Sequence, residues 1–217
     1  MSRSKVLRSL LAILVASVAA QPLVLQAQDT SLPQDSLRAP AEFAAITDAE
    51  ERSAALFTEA ARVLEHPRCM NCHPATRFPT QGDDRHAHVP SMPGGAGDHG
   101  VPGIQCATCH TDHNVATFGE GIASVPGTLH WGLAPAPMAW QGLSTGGICA
   151  QLKDLERNGG RSLAQIHTHI MTDSLISWAW SPGEGRTPPP GTLADFGALL
   201  AAWIETGALC PDEPESR

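Results

Sequence analysis

The sequence predicts a mainly α-helical fold with long irregular loops and little or no sheet. Apolar side chains recur at helical spacing in four segments, and a residue typical of helix N-caps opens each of them. The chain between these segments is rich in proline and glycine, which number 18 and 20 in total and favour turns. Runs that alternate apolar and polar residues, the pattern of half-buried strands, are weak throughout.

The first 27 residues are expected to be an export signal. Three basic side chains within the first eight residues precede an uncharged apolar run over residues 10–20, which has the length of a signal-peptide core rather than of a membrane span. Cleavage is expected after Ala20 or after Ala27, and an uncleaved anchor is the alternative. The sequence therefore predicts a periplasmic protein with no transmembrane segment in the mature chain.

One domain is expected to follow this signal. Residues 28–45, rich in Gln, Ser, Pro and Asp, read as a flexible leader, and residues 46–217 have the size of a single domain. The first helix is predicted to open at a capping box over residues 47–50 and to end at Pro67. Its predicted apolar face consists of Leu56, Phe57, Ala60, Val63 and Leu64.

Loops and three further helices make up the remainder of the predicted domain. Residues 75–103 and 118–137 are expected to be loop, because Pro, Gly, Asp and His dominate the first and the second is irregular. The helices are expected to begin at Ser144 or Thr145, after Ser162, and after Thr192. Their expected ends are Asn158, which follows an apolar Leu155, then Thr172, and finally Gly207.

The pattern Cys-x-x-Cys-His occurs twice in the chain. Its residues are Cys69, Cys72 and His73 in the first motif and Cys106, Cys109 and His110 in the second. Haem is attached covalently to this pattern: the two thiols bond to the porphyrin edge and the adjacent histidine ligates the iron. We therefore predict two haem c groups, with His73 and His110 as the proximal axial ligands.

Other uses of paired cysteines fit the sequence less well. Two Cys-x-x-Cys pairs can form a four-thiolate zinc site, and a single pair can act as a redox dithiol. Neither needs a histidine after the second cysteine, and this chain has one in both motifs. A disulfide within one pair would close a strained two-residue loop.

The spacing of the motifs predicts how the haems are arranged. The second motif begins only 37 residues after the first, which is too short for a complete one-haem domain between them. Both haems are therefore expected to share one compact, cytochrome c-like dihaem domain and to lie near each other.

Several residues are candidates for the sixth ligand of each iron. His86 and His88 lie in the polar loop between the motifs, from which a side chain can reach either iron. On the third predicted helix, periodicity weakly favours His167 as a packed residue and leaves His169 open as a ligand. Met138 lies in a loop of the kind that presents an axial methionine, with core packing as the alternative.

Cys149 and Cys210 remain after the four haem thiols are assigned. In an oxidising compartment two such cysteines most simply form a disulfide. This bridge would enclose roughly 60 residues and stabilise the fold by about 4 kcal/mol on the chain-entropy model. We expect it to be structural.

Acidic side chains outnumber basic ones. The formal net charge is −8, and it becomes −11 without the first 20 residues, which hold three basic and no acidic side chains. A surface of this sign disfavours nucleic acid and anionic lipid as partners, and it favours a redox protein with a basic docking face.

Several short segments of the chain resemble a known family. They are residues 68–74, the loop with His86 and His88, then 106–110, 138–140, 151–154, 157–161 and 210–211. They look like small secreted bacterial proteins catalogued as the cytochrome subunit of isoquinoline 1-oxidoreductase-type enzymes, and the likeness covers most of the chain after about residue 45. The resemblance implies that His88 and His169 are recurrent positions, which favours them as distal ligands. It also implies a molybdenum hydroxylase as partner.

Together these observations predict a periplasmic protein that carries electrons on two covalent haems. It would accept them from a dehydrogenase or molybdenum hydroxylase and pass them to a respiratory chain. The sequence shows no molybdopterin or flavin site, so the chain itself is not expected to be an enzyme. The alternative is a haem enzyme or sensor, peroxidase-like or gas-binding, with one open coordination site.

Overall fold

The structure is a computed structural model that describes residues 35–117 and 124–212. The expected export signal lies outside these residues. Within them the chain forms six α-helices: α1 (Ala49–Leu64), α2 (Pro67–Met70), α3 (Thr145–Lys153), α4 (Leu163–Thr172), α5 (Ser174–Trp178) and α6 (Leu193–Glu205). Short 3₁₀ helices span Pro40–Phe43, Cys106–Thr108 and Ala136–Met138. The prediction of a mainly α fold is confirmed.

Strands contribute three small antiparallel hairpins to the described chain. They pair β1 (Thr80–Gln81) with β2 (His86–Ala87), β3 (Gly100–Val101) with β4 (Ile104–Gln105), and β5 (Val115–Ala116) with β6 (Ser124–Val125). Each strand is two residues long, so the long loops carry little sheet, as the sequence predicts. None of the helices in the described ranges is long and apolar enough to cross a bilayer.

The hydrophobic core lies where α1 packs against α6. Phe57 and Trp203 meet there with ring centroids 4.9 Å apart, and both side chains are fully buried. Helix α4 packs on the other side of α6, close to Gly197, where a Cβ atom would lie 2.3 Å from Met171 Sδ. The buried side chains of α6 are Phe196, Leu199, Leu200 and Trp203.

The starts of the helices follow their capping residues closely. Complete capping boxes open α4, with Ser162 and Gln165, and α6, with Thr192 and Asp195. The box predicted over residues 47–50 is corrected to a cap at Asp48. Its carboxylate accepts hydrogen bonds from the backbone N–H groups of Glu50 and Glu51, both at 2.9 Å.

Helix α3 ends earlier than the sequence predicts. Its last residue is Lys153, and Asp154 leaves the helix with φ −82° and ψ 107°. Leu155 is 58% exposed, so its apolar side chain does not belong to the buried face. Asn158 closes the turn that follows by donating from Nδ2 to Leu152 O at 2.8 Å.

Part of the expected leader is packed on the domain. Residues 35–45 include the 3₁₀ helix, and Phe43 is 1% exposed within the core. Arg62 of α1 donates to Ser36 O at 2.8 Å, and Arg38 N donates to Glu59 at 3.2 Å. The packed chain therefore starts before residue 46, which composition suggests as the first residue of the domain.

A disulfide joins two helices at the edge of the core. Cys149, which is fully buried in α3, bonds to Cys210, which follows α6, with an S–S distance of 2.05 Å. The bridge fixes α3 to the chain that leaves the C-terminal end of α6.

Candidate functional site

The first Cys-x-x-Cys-His motif continues α2 and is anchored in the core. Backbone hydrogen bonds run from Cys72 N to Cys69 O at 3.1 Å and from His73 N to Met70 O at 3.2 Å. Met70 and Asn71, between the cysteines, are only 7% and 8% exposed. The helical turn thus fixes the positions of the two thiols and the histidine relative to each other, and the buried residues Met70 and Asn71 anchor this turn.

The residues just before this motif bind the hairpin that follows it. Pro67 opens α2 instead of only ending α1, and His66 caps it by accepting from Arg68 N at 3.2 Å. The Arg68 side chain, 2% exposed, pairs with Asp83 at 2.5 Å and donates to Gly82 O at 2.9 Å. Both partners lie in the turn between β1 and β2, so this hairpin is docked on the first motif.

The second motif has a similar turn on a more exposed segment. Cys109 N donates to Cys106 O at 3.2 Å, and His110 N donates to the same oxygen at 2.9 Å. The 3₁₀ helix Cys106–Thr108 has no buried residue, and Cys109 is exposed. This motif therefore depends on neighbouring loops, rather than on a core helix, for its position.

None of the four motif cysteines is part of a disulfide bond. Burial raises the pKa of Cys69 to about 12 and that of Cys72 to about 11. It also raises the pKa of Cys106 above its usual value. Across residues 35–117 and 124–212, no group of three or more His, Cys, Asp and Glu side chains is arranged to hold a metal ion. The four sulfurs are thus not gathered as a four-thiolate zinc site requires.

His73 is held in a single orientation by two contacts. Its Nδ1 lies 2.6 Å from Met138 O, and its ring stacks on Trp140 with centroids 3.5 Å apart and an interplanar angle of 11°. Burial lowers the pKa of His73 to about 4, so the ring is neutral. A carbonyl oxygen only accepts hydrogen bonds, so Nδ1 carries the proton and Nε2 keeps the lone pair that a metal needs.

His110 is held in the same way by different residues. Its Nδ1 lies 2.7 Å from Pro126 O, and its ring stacks on Trp131 with centroids 4.5 Å apart at 11°. Burial lowers the pKa of His110 as well. In both histidines Nε2 is thus the nitrogen with the available lone pair, although the two motifs lie in different structural surroundings.

No protein-family model, no curated protein and no solved structure matches this chain. The functional interpretation therefore depends on the geometry of the two motifs and of the residues around them.

A second aromatic contact supports Trp131, the ring that stacks on His110. Trp178 of α5 meets Trp131 edge-on, with centroids 4.7 Å apart at 84°. Its Nε1 donates to Asn114 Oδ1 at 2.8 Å, and the same oxygen accepts from Gly127 N at 3.0 Å. These contacts connect α5 to the loop after the second motif, so that both support the position of His110.

Gly127 permits the close packing that places Pro126 against His110. A Cβ atom at this position would lie 2.2 Å from His113 O. We expect Gly127→Ala to lower the free energy of unfolding by about 1 to 3 kcal/mol, the range for overpacking, in urea denaturation. Gly97→Ala is the matched control, because a Cβ there meets nothing within 4 Å. Equal stability of the two variants would contradict the packing described for this loop.

The two motifs are connected by a short ladder of backbone hydrogen bonds. Residues 133–134 form its centre: Ala134 N donates to Cys72 O at 2.9 Å and Leu133 N donates to Asp98 O at 2.8 Å. The adjacent His99 O accepts from Cys106 N at 2.9 Å. Cys72 and Cys106 are also close enough for the charge of one thiolate to raise the pKa of the other.

The structure places Met138 on the proximal side of His73. Its carbonyl oxygen bonds to Nδ1, at the edge of the ring away from Nε2, and its side chain packs against the core. The contact that Met138 makes with His73 is through its backbone carbonyl group and not through its thioether.

Two of the candidate histidines are directed away from the motifs. His86 Nδ1 lies 2.6 Å from Asp84 Oδ1, within the turn of its own hairpin. His169 is exposed on α4, with Nδ1 3.7 Å from Asp173 Oδ2. Among the described residues, no hydrogen bond, ion pair or ring contact joins His169 to either motif. The structure thus does not bring this predicted ligand to the site.

His88 is the distal candidate that the structure brings to a motif. Its ring centroid lies 5.9 Å from that of His110. Sequence reasoning identified His88 as a candidate but missed Trp131, Pro126 and Gly127, which build the site around His110. No local sequence pattern identifies these three residues. Trp131 acts through ring stacking, Pro126 through its backbone carbonyl, and Gly127 through the absence of a Cβ atom.

Proposed function

We propose that this chain is a dihaem c-type electron-transfer protein. One haem would be bound through Cys69 and Cys72 and the other through Cys106 and Cys109, with the following histidines as proximal ligands. The observation that carries the proposal is the matched presentation of His73 and His110: in each, Nδ1 bonds to a carbonyl at 2.6 or 2.7 Å and the ring stacks on a tryptophan at 11°. Second-sphere bonds of this kind orient metal-binding histidines.

The donor set around the first motif fits a haem. Arg68 Nε and Trp140 Nε1 are buried donors without a hydrogen-bond partner among the described residues. Arg68 directly precedes Cys69, and Trp140 stacks on His73. A haem carries two propionate groups that accept hydrogen bonds, so unpaired donors beside the motif are consistent with such a group.

Each group of residues has a distinct task in this proposal. The cysteines would hold the porphyrin edge, and the neutral imidazoles of His73 and His110 would offer Nε2 to iron. Trp140 and Trp131 keep the two rings from rotating and shield them from water. When bound, haem supplies reversible one-electron chemistry, whose potential the axial ligands and the burial of the site adjust.

The location and partners of the protein follow from its sequence in this proposal. Haem attachment outside the cytoplasm requires export, which the basic and apolar segments of the first 20 residues suit. The excess of acidic side chains suits a redox partner with a basic face. A dehydrogenase or, from the family resemblance, a molybdenum hydroxylase would donate electrons, and a respiratory chain would accept them. The chain would act as a carrier and not as an enzyme.

The proposal predicts two covalently bound haems on the full chain exported by a bacterium that can attach haem c. We expect the mass of the denatured protein to exceed that of the polypeptide by two haems and its pyridine haemochrome spectrum to be of the c type. A variant without residues 1–27 is the matched control and should carry no covalent haem, since it stays in the cytoplasm. Exported protein without covalent haem would overturn the proposal. Rapid carbon monoxide binding at a high-spin haem in the unmodified protein would favour the enzyme or sensor alternative.

A further inference from the structure

His88 lies close to His110, the histidine of the second motif. The two ring centroids are 5.9 Å apart and the ring planes are inclined at 58°. Two imidazoles that bind one metal ion from opposite sides have centroids about 6 Å apart, given metal–nitrogen bonds of about 2 Å. The space between His88 and His110 therefore has the dimension of a bis-imidazole metal site.

The hydrogen bonding of His88 suits it for binding a metal. Its Nδ1 lies 2.8 Å from Pro90 O, and because a carbonyl only accepts, Nδ1 carries the proton. Nε2 is then the nitrogen available to a metal ion. His73 and His110 have the same arrangement, with Nδ1 bonded to a backbone carbonyl in each.

The exposure of the surrounding segment distinguishes His88 from its neighbours. Along residues 83–90, His88 is half-buried, whereas every other residue is exposed. His86 is among the exposed residues and bonds to Asp84 in the hairpin turn. Two histidines only two residues apart are thus directed to different places, and only His88 turns towards the second motif.

The hairpin that carries His88 is fixed to the first motif. Asn71 Nδ2 donates to Gly82 O at 3.0 Å, and Thr80 Oγ1 donates to Asn71 Oδ1 at 2.7 Å. At the end of the hairpin, His88 N donates to Pro79 O at 3.2 Å. The position of His88 is therefore determined by side chains within and beside the first Cys-x-x-Cys-His sequence.

We propose that His88 is the sixth ligand of the iron that His110 binds, so that the second haem is held between two histidines. This inference rests on the proposed function, because it assumes haem at the second motif. The hairpin β1–β2 then joins the two centres: its turn docks on the first motif, and its outgoing end supplies a ligand to the second. The second site is complete only when the hairpin is in place.

The test compares His88→Ala with His86→Ala in the exported holoprotein. We expect His88→Ala to retain two covalent haems while one of the two becomes high-spin in electron paramagnetic resonance and its ferrous form binds carbon monoxide. Added imidazole should restore the low-spin signal, because it can occupy the vacated position. His86→Ala, which removes a neighbouring histidine bonded to Asp84, should leave both haems unchanged.

The outcomes separate this inference from the proposed function. Two haems with unchanged spin states in His88→Ala would overturn the inference and leave haem attachment intact, whereas absence of haem from the unmodified chain would overturn the proposed function. If His88→Ala does not fold, the midpoint potentials of His88→Met test the inference instead. A rise in the midpoint potential of one haem would support ligation by residue 88, and two unchanged potentials would contradict it.

Discussion

The double replacement Cys106→Ala and Cys109→Ala is expected to halve the covalent haem content, from two groups per chain to one. Both thioether bonds that the proposal assigns to the second haem would be lost, whereas the first motif would keep both of its thiols. The first motif should tolerate this change, because Met70 and Asn71 anchor it in the core independently of the second. The reciprocal variant, Cys69→Ala with Cys72→Ala, should also retain one haem.

The measurement is the mass of the denatured variants together with the haemochrome absorbance per chain. The variant in which Cys149 and Cys210 are replaced by alanine is the matched control, since it also loses two cysteines but should keep both haems. Two haems on the Cys106 and Cys109 variant, or equal loss in the control, would show that these thiols do not attach haem.

Removal of the disulfide is expected to cause a large loss of stability. The bridge between Cys149 and Cys210 joins residues 61 positions apart. On the chain-entropy model such a loop contributes about 4 kcal/mol, a substantial part of the roughly 5 to 15 kcal/mol by which an ordinary domain is stable. We expect Cys149→Ala with Cys210→Ala to lower the free energy of unfolding by about 4 kcal/mol in urea denaturation, with the haem content unchanged.

Reduction provides the control for this prediction. Wild-type protein should lose a similar free energy of unfolding in dithiothreitol, whereas the double alanine variant should not respond. Because Cys149 is fully buried, the alanine also removes some packing, and a loss that dithiothreitol does not reproduce would be due to the core. Equal stability of variant and wild type would contradict a stabilising bridge.

Sequence reasoning predicted the helix starts better than the helix ends. A cap is local: Ser162 and Gln165 bond to each other's backbone across three residues, so the sequence contains all the participants. The end of α3 depends on a turn closed by Asn158, and Leu155 only continues the apolar spacing without being buried. Periodicity cannot distinguish an apolar residue that packs from one that the chain turns outward.

Composition did not indicate that residues 35–45 pack on the rest of the chain. The polar residues upstream of Phe43 suggest flexible chain, but the ring of Phe43 is buried in the core and helps to hold the segment. Arg62 of α1 then binds its backbone at Ser36. Average composition does not register a single anchoring residue.

For the candidate site, only the cysteines and histidines of the two motifs could be predicted with certainty of position from the sequence. The attachment motifs are contiguous, so the sequence names their cysteines and histidines directly. The partners that orient His73 and His110 are the carbonyl oxygens of Met138 and Pro126, 65 and 16 residues away. Every residue has a carbonyl, so side-chain chemistry could not identify them. Met138 is an example: the prediction was based on its thioether group, whereas its backbone oxygen makes the contact with His73.

The ladder of backbone hydrogen bonds between Cys72 and Cys106 bears on how fast charge could move between the centres. Electron tunnelling weakens steeply with distance, so the rate of transfer between two redox groups depends on the separation at which the protein holds them. Three consecutive amide–carbonyl bonds of 2.8 to 2.9 Å hold the two attachment points together without any flexible side chain. If each motif carries a haem, the separation of the two groups would therefore be set by the backbone, and side-chain motion would change it little.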